Sequence, residues 1–125
     1  MKFTTPIKTL LSTIGLIFFL VIAFGSGDAK DNSVDLNAEI RFTGTKFKIT
    51  NNDNFSWKDV KFEINDDYIL KTSIIKPNSS YEVGTMQFTK SDGTRFNPFR
   101  IKPKEFTISC NTSIGKRGWY FGKWN

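Results

Sequence analysis

Residues 35–125 predict an all-β, two-sheet sandwich, and three features of the chain carry that expectation. Apolar residues alternate with polar ones at period 2 instead of recurring at helical spacing. Clusters of Asn, Asp, Ser, Gly and Pro interrupt the alternation at short intervals, as turns between strands require. Aromatic residues are abundant: of 13 Phe, four (Phe3, Phe18, Phe19, Phe24) precede the domain, which keeps nine together with 3 Trp and 3 Tyr. Each buries roughly 150–250 Å², and a small domain with a single cysteine has no internal disulfide, so its core must come from such side chains.

The elements follow in order. Ile40 and Phe42 alternate with Glu39, Arg41 and Thr43, Gly44 and Thr45 supply a turn, and Phe47 and Ile49 alternate with Lys46, Lys48 and Thr50. That pattern fits a tight hairpin or one kinked, bulged strand. Asn51, Asn52, Asp53 and Asn54 form a loop, because Asn and Asp bond their own backbone and tolerate left-handed conformations. Trp57, Val60, Phe62 and Ile64 against Lys61 and Glu63 make the clearest strand, with its apolar face central to the core and Asn65, Asp66 and Asp67 ending it. Residues 68–75 are one more strand, stopped by Pro77, Asn78, Ser79 and Ser80. Short strands are expected at 81–83 and 86–88, and Ser91, Asp92, Gly93 and Thr94 turn the chain before Arg95 and Phe96. Asn97 with Pro98 and Lys102 with Pro103 break pairing. Phe106, Ile108 and Cys110 alternate with Thr107 and Ser109, and after a loop at 112–118 a last segment covers 119–124. Seven or eight short strands in about ninety residues point to an immunoglobulin-like or fibronectin type III-like two-sheet sandwich, with a barrel as the alternative.

Ahead of this domain the sequence predicts one N-terminal hydrophobic helix. Lys2 and Lys8 precede an uncharged run over 10–24 that includes Leu-Ile-Phe-Phe-Leu-Val-Ile at 16–22. A basic start before such a run is the pattern of an export signal peptide and equally of a short transmembrane anchor. Residues 9–27 number 19. At about 1.5 Å each they reach ~28 Å, just enough for a hydrocarbon core. Ala23 with Gly25, or Gly25 with Gly27, supplies the small residues that cleavage needs, so both fates stay open. Either fate exports the domain, because Lys2, Lys8 and the terminal amine hold the cytoplasmic side. The expected location is the cell membrane, single-pass with the N-terminus cytoplasmic and the domain outside, or alternatively secretion. The organisation is thus a signal or anchor segment at 1–27, a flexible linker at 28–34 and an extracytoplasmic β-sandwich at 35–125.

Composition narrows function by exclusion. The chain has 18 Lys plus Arg against 12 Asp plus Glu, a formal net charge of +6, and no histidine. The commonest general base and metal ligand is therefore missing, and one cysteine cannot build a thiolate cluster. No catalytic residue, metal ligand or cofactor is expected, and a noncatalytic interaction module is. Residues 28–89 hold 8 basic and 10 acidic side chains, whereas 90–125 hold 8 basic and 2 acidic. In that basic end Lys116, Arg117 and Lys123 lie among Trp119, Tyr120 and Trp124, and these six are the candidate binding residues; Arg95, Arg100, Lys102 and Lys104 precede them. Basic residues interleaved with aromatics suit an anionic membrane surface, an anionic wall polymer or an acidic protein. Nucleic acid would use the same chemistry, but export makes it an unexpected partner. A bland reading competes, in which Trp119, Phe121 or Trp124 are core residues and the charges keep the domain soluble. Period 2 sends Trp119 and Phe121 to one face and Tyr120 to the other. Residues 51–54 with Asp66 and Asp67 carry oxygen ligands for a hard cation but lack EF-hand spacing, and read as turn formers. Cys110 falls on the apolar side of its strand, as a small buried hydrophobe.

The stretch Phe47-Lys-Ile-Thr-Asn-Asn-Asp-Asn-Phe-Ser-Trp57-Lys-Asp-Val-Lys-Phe-Glu-Ile-Asn65, with Asp92-Gly-Thr-Arg-Phe-Asn-Pro98 later, resembles small bacterial exported or membrane-anchored β-sandwich proteins of unknown function, broadly similar to the FxLYD type of extracytoplasmic domain. In such domains a strand ends in an Asn-rich loop and the next begins near an aromatic residue, as at Asn51 to Trp57. The resemblance covers about residues 35–125. It implies a fold and a location and brings no activity, ligand or catalytic residue.

Overall fold

Phe42 and Phe47 face each other across a short turn at Thr43, Gly44 and Thr45, closed by the Thr43 amide donating to the Lys46 carbonyl at 2.9 Å. Gly44 sits at φ +104°, a conformation that side chains disfavour. Of the two sequence alternatives, the hairpin is therefore the one formed. The structure is a computed structural model that describes residues 2–3 and 32–124. Its strands are β1 (Lys2–Phe3), β2 (Ser33–Asp35), β3 (Ala38–Phe42), β4 (Lys46–Asn51), β5 (Trp57–Ile64), β6 (Tyr68–Ile75), β7 (Ser80–Gly84), β8 (Glu105–Thr112) and β9 (Arg117–Lys123). The expected hydrophobic helix at 9–27 lies outside the described residues, among which no helix is long and apolar enough to cross a membrane.

Two sheets form. One runs β3-β4-β7, with the two-residue β1 at the free edge of β3, and the other runs β2-β9-β8-β5-β6. All pairs are antiparallel except β2 with β9. The inward residues of each strand meet in one aromatic core. Phe47 of β4 lies 5.2 Å from Phe106 of β8, and Phe62 of β5 stacks on Tyr81 of β7 at 5.8 Å. These contacts cross between the sheets, so the molecule is a sandwich held by ring packing.

Two stretches depart from the sequence reading. The strand expected at 86–88 is instead a single 3₁₀ turn, Thr85–Gln87, because the Thr85 amide and hydroxyl both donate to the Thr45 carbonyl and pin the chain there. Phe88 and Phe96 still reach the core, through a narrow loop in which the Phe96 amide donates to the Phe88 carbonyl at 2.9 Å. Ser33 and Val34, read as linker, belong to β2, which covers the free edge of β9 in parallel register, Val34 opposite Gly118. Gly118 permits this closeness: a Cβ there would run into the Leu36 side chain and come within 3.1 Å of Cys110 Sγ.

At one end of the sandwich the loop after β4 is organised by Asn51. Its buried amide donates to the carbonyls of Phe55, Ile75 and Lys76 at 3.0–3.2 Å, while its oxygen accepts from the Asp53 amide. Asp53 in turn accepts from Trp57 Nε1 at 3.0 Å and from the Asn37 amide at 3.1 Å. The Asn-rich run is thus turn and cap chemistry that satisfies buried backbone groups.

Candidate functional site

The outward face of the five-stranded sheet is where the sequence-predicted residues gather or separate. Along β9 exposure alternates strictly: Arg117, Trp119, Phe121 and Lys123 point out, and Gly118, Tyr120 and Gly122 point in. Trp119 and Phe121 are 47% and 50% exposed, side by side on the same face. Tyr120 is a buried core residue, and Trp124 packs against the core at 5.9 Å from Phe47 and 6.1 Å from Phe42. Of the three predicted aromatics, then, only Trp119 lies outward, because odd positions of β9 face solvent and even ones face the opposite sheet. Lys116 is in the turn before β9, its amide bonded to Thr112 Oγ1. Lys123 ends the strand six residues beyond Arg117, roughly 20 Å away at strand rise. Adjacent in sequence, these cations do not form one cluster.

Arg117 instead joins residues the sequence reading passed over. Across the sheet, Trp119 is in register with Ser109, Ser109 with Lys61, and Lys61 with Lys71. Arg117 is in register with Asn111, and Asn111 with Lys58. A bulge in β5 between Lys58 and Lys61 sets two residues against one of β8, and Asp59 within it takes φ +49°. The bulge turns Lys58 and Asp59 both to solvent and restores the inward placement of Val60, a common device for re-aiming side chains. Polar contacts link the strands: Arg117 donates to Asn111 Oδ1 at 2.9 Å, and Asn111 Nδ2 donates to Asp59 Oδ2 at 3.3 Å. The Arg117 guanidinium also sits 5.5 Å from the Trp119 ring centre, within cation–π range. In front of this network lies a shallow depression of about 400 Å³ lined by Asp59, Lys61, Lys71, Thr72, Ser109 and Arg117, with Val60 at its base.

Alternation alone could have found Phe121, which the sequence reading already put on the same face as Trp119. Lys61 and Lys71 carry no local signal, since what unites them with Arg117 is a strand order that pairs β5 with both β6 and β8.

The other basic residues collect at the opposite end. Arg100, Lys102 and Lys104 line a second depression of about 480 Å³ with Asn65, Ile101 and Glu105. Asn65 builds it: its oxygen accepts from the amides of Lys104 and Glu105, and its Nδ2 donates to the Lys102 carbonyl. Phe99 in the same loop is 82% exposed. This region has no ring fixed beside its cations on a sheet.

Among the described residues, Cys110 and Asp92 depart clearly from their ordinary titration range. Cys110 is buried in the core, and burial pushes its thiol up to about 11, away from the reactive thiolate. Asp92 is held below the usual carboxylate range by the amide and hydroxyl of Thr94, in an exposed turn. Among the described residues no three His, Cys, Asp or Glu side chains converge as a metal site. Comparison with family models, curated proteins and solved structures finds no match for this chain.

Proposed function

We propose that this chain is a membrane-anchored, extracytoplasmic interaction module that binds its partner, without catalysis, on the outward face of the five-stranded sheet. The observation that carries the reading is the exposed pair Trp119 and Phe121 standing beside Arg117 on one flat face. Exposed aromatics next to a cation are typical of binding surfaces, where they supply rigid contact area. The noncatalytic part rests on a chain without histidine whose only thiol is buried and held protonated. The membrane part rests on the basic start and apolar run of residues 9–27, and it requires Lys2 and Phe3 to leave the edge of β3 when that run enters a bilayer.

The finer fold reading is immunoglobulin-like. Sheets ordered β3-β4-β7 and β9-β8-β5-β6 follow the A-B-E and G-F-C arrangement of that architecture, and the buried Trp57 opens the strand in the C position. Cys110 lies on the strand in the F position, while the B-position strand β4 offers Phe47 and Ile49 where a bonded cysteine would stand. The FxLYD-like resemblance is compatible with such a domain lacking its disulfide.

Oxidative footprinting needs no knowledge of the partner. In intact cells Trp119 and Phe121 are expected to be protected relative to purified protein, whereas Met86, similarly exposed at 48%, labels equally in both. Equal labelling of all three would overturn the binding-face reading. Intact mass of native protein from separated fractions decides the anchor. Full-length chain in the membrane supports it, and a soluble species beginning near Ser26 or Asp28 replaces it with a secreted binder of a small ligand or wall polymer.

A further inference from the structure

We infer that the trough running over β8 binds an acidic polysaccharide chain, with sugar rings against Trp119 and Phe121 and acidic substituents at Lys61, Lys71 and Arg117. The inference rests on the proposed binding face and names its ligand class. The trough follows from the register. The outward residues of β8 are the short, polar Thr107, Ser109 and Asn111, while taller side chains stand on both sides, Trp119 and Phe121 on β9 and Lys61 on β5. Ser109 is only 6% exposed at its floor, shaded by these walls. Strands are spaced about 4.8 Å apart, so the walls stand roughly 10 Å apart across β8, and the strand gives the trough a length of roughly 20 Å. Those dimensions suit a single extended polymer chain.

Each wall selects for a part of an acidic sugar. Flat rings with half their surface in water offer faces to the C–H surface of a pyranose, and the floor supplies hydroxyl and amide groups for its hydroxyls. On the opposite wall Lys61 and Lys71 are direct cross-strand partners, a like-charge pair that weakens a sheet unless an anion lies between them. Among the described residues the ion pairs are Arg41 with Glu39 and Lys90 with Asp67, so neither lysine nor Arg117 has a carboxylate partner there. Arg117 gives one donor to Asn111 and keeps others for a carboxylate, sulfate or phosphate. Asp59, at the edge of the same depression, is engaged by Asn111. Charge is uneven along the trough: Arg117, Lys58, Lys61 and Lys71 outnumber Asp59 at one end, whereas toward the other Glu63 stands beside Glu105, which is in register with Lys123. Ile74, opposite Lys58 on the edge strand β6, is also exposed on this face, but it stands beyond β5 and outside the trough.

The test uses the full chain in neutral detergent micelles and three probes: alginate as the acidic polysaccharide, dextran as a neutral one, and poly-L-glutamate as a polyanion without sugar rings. Saturable binding to alginate is expected, at least tenfold tighter than to either of the others. Lys61→Glu with Lys71→Glu is expected to weaken it at least tenfold, and Trp119→Ala at least fivefold with the salt dependence unchanged. Lys71→Gln, at an exposed edge position that folding does not need, gives a smaller loss of about threefold in the same direction. Arg41→Glu with Lys48→Glu on the opposite sheet leaves alginate binding as in the wild type. Equal affinity for alginate and polyglutamate, indifference to Trp119→Ala, or no saturable alginate binding would each overturn the inference. If alginate fails while Trp119 and Phe121 remain protected in cells, the ligand class falls and the binding face stands; if protection is also absent, both fall.

Discussion

The two outward faces of this sandwich arise from the same period-2 alternation and end as opposite kinds of surface. On β3-β4-β7 the outward residues include Glu39, Arg41, Lys48, Thr50, Ser80 and Glu82, with no aromatic among them. Arg41 meets Glu39 at 3.4 Å, Lys48 is in register with Glu82, and the hydroxyls of Thr50 and Ser80 are 2.9 Å apart. Arg41 and Lys48 thus have carboxylates to hand, as solubility alone would select. On the five-stranded sheet Lys61 opposes Lys71, and Trp119 and Phe121 stand half in water. The core dictates every second residue of a strand and leaves the others free. Where those free positions are mutually satisfied the face serves solubility, and where they hold exposed rings and opposed like charges some other contact explains them.

The comparison is sharpest within one strand. On β8, Phe106 faces the core between Phe47 and Phe62 while Thr107 faces the trough. Phe106→Ala is expected to cost about 3–5 kcal/mol in urea unfolding, through lost burial and the cavity left behind. Thr107→Ala should stay within about 0.5 kcal/mol as a surface position, and Trp119→Ala on β9, which loses the contact with Arg117, within about 1 kcal/mol. A large stability loss from Trp119→Ala would break the comparison, because that ring would then be serving the fold.

A smaller loss is expected at Gly118, where β2 approaches β9. Gly118→Ala drives a methyl group into Leu36 and against Cys110 Sγ, so about 1–3 kcal/mol should be lost by overpacking. Hydrogen exchange should rise at Leu36, whose amide donates to the Trp119 carbonyl at 2.8 Å. Unchanged stability and exchange would mean that β2 contributes little to holding β9 and its exposed rings in place.

How much of this was legible from sequence divides along the same line. Period 2 identified the inner residues of β8 and of β5 after its bulge, since Val60, Phe62, Ile64, Phe106, Ile108 and Cys110 are all buried, while Trp57 shares their face only because the bulge adds a residue. It also separated Trp119 and Phe121 from Tyr120. It failed where tertiary contacts override local pattern: Thr85 is captured by the Thr45 carbonyl, forty residues earlier, and a strand becomes a 3₁₀ turn. Sequence proximity also misled at the basic end. Arg117 and Lys123 lie at opposite ends of one strand, and Arg117 instead lies near Lys61 and Lys71 through strand pairing. Inner positions can be read locally because burial repeats along a strand, while a surface cluster assembled across four strands depends on register.

Cys110 provides a pH test of the inner face. Its thiol, ordinarily near 9.0, is raised to about 11 by burial, so the folded state keeps a proton that the unfolded chain releases. The contribution is fully present below pH 9 and is lost as pH rises toward 11, because ionisation then favours the unfolded chain. Unfolding curves from pH 8 to 11 should fall more steeply for wild type than for Cys110→Ala, which isolates the thiol from lysine and tyrosine titration. Parallel curves would mean that the thiol ionises as easily in the folded domain as in the unfolded chain.

The smallest effect belongs to the self-satisfied face. Arg41 is exposed, and its pairing with Glu39 spans 3.4 Å between residues of the same strand, so solvent and salt screen most of the attraction. Arg41→Ala is therefore expected to change stability by about 0.5 kcal/mol or less, with no dependence on salt beyond that. A larger, salt-sensitive loss would show that the charges of β3-β4-β7 hold that sheet together. The contrast between the faces would then lie in how each uses its charge, for folding on one side and for a partner on the other.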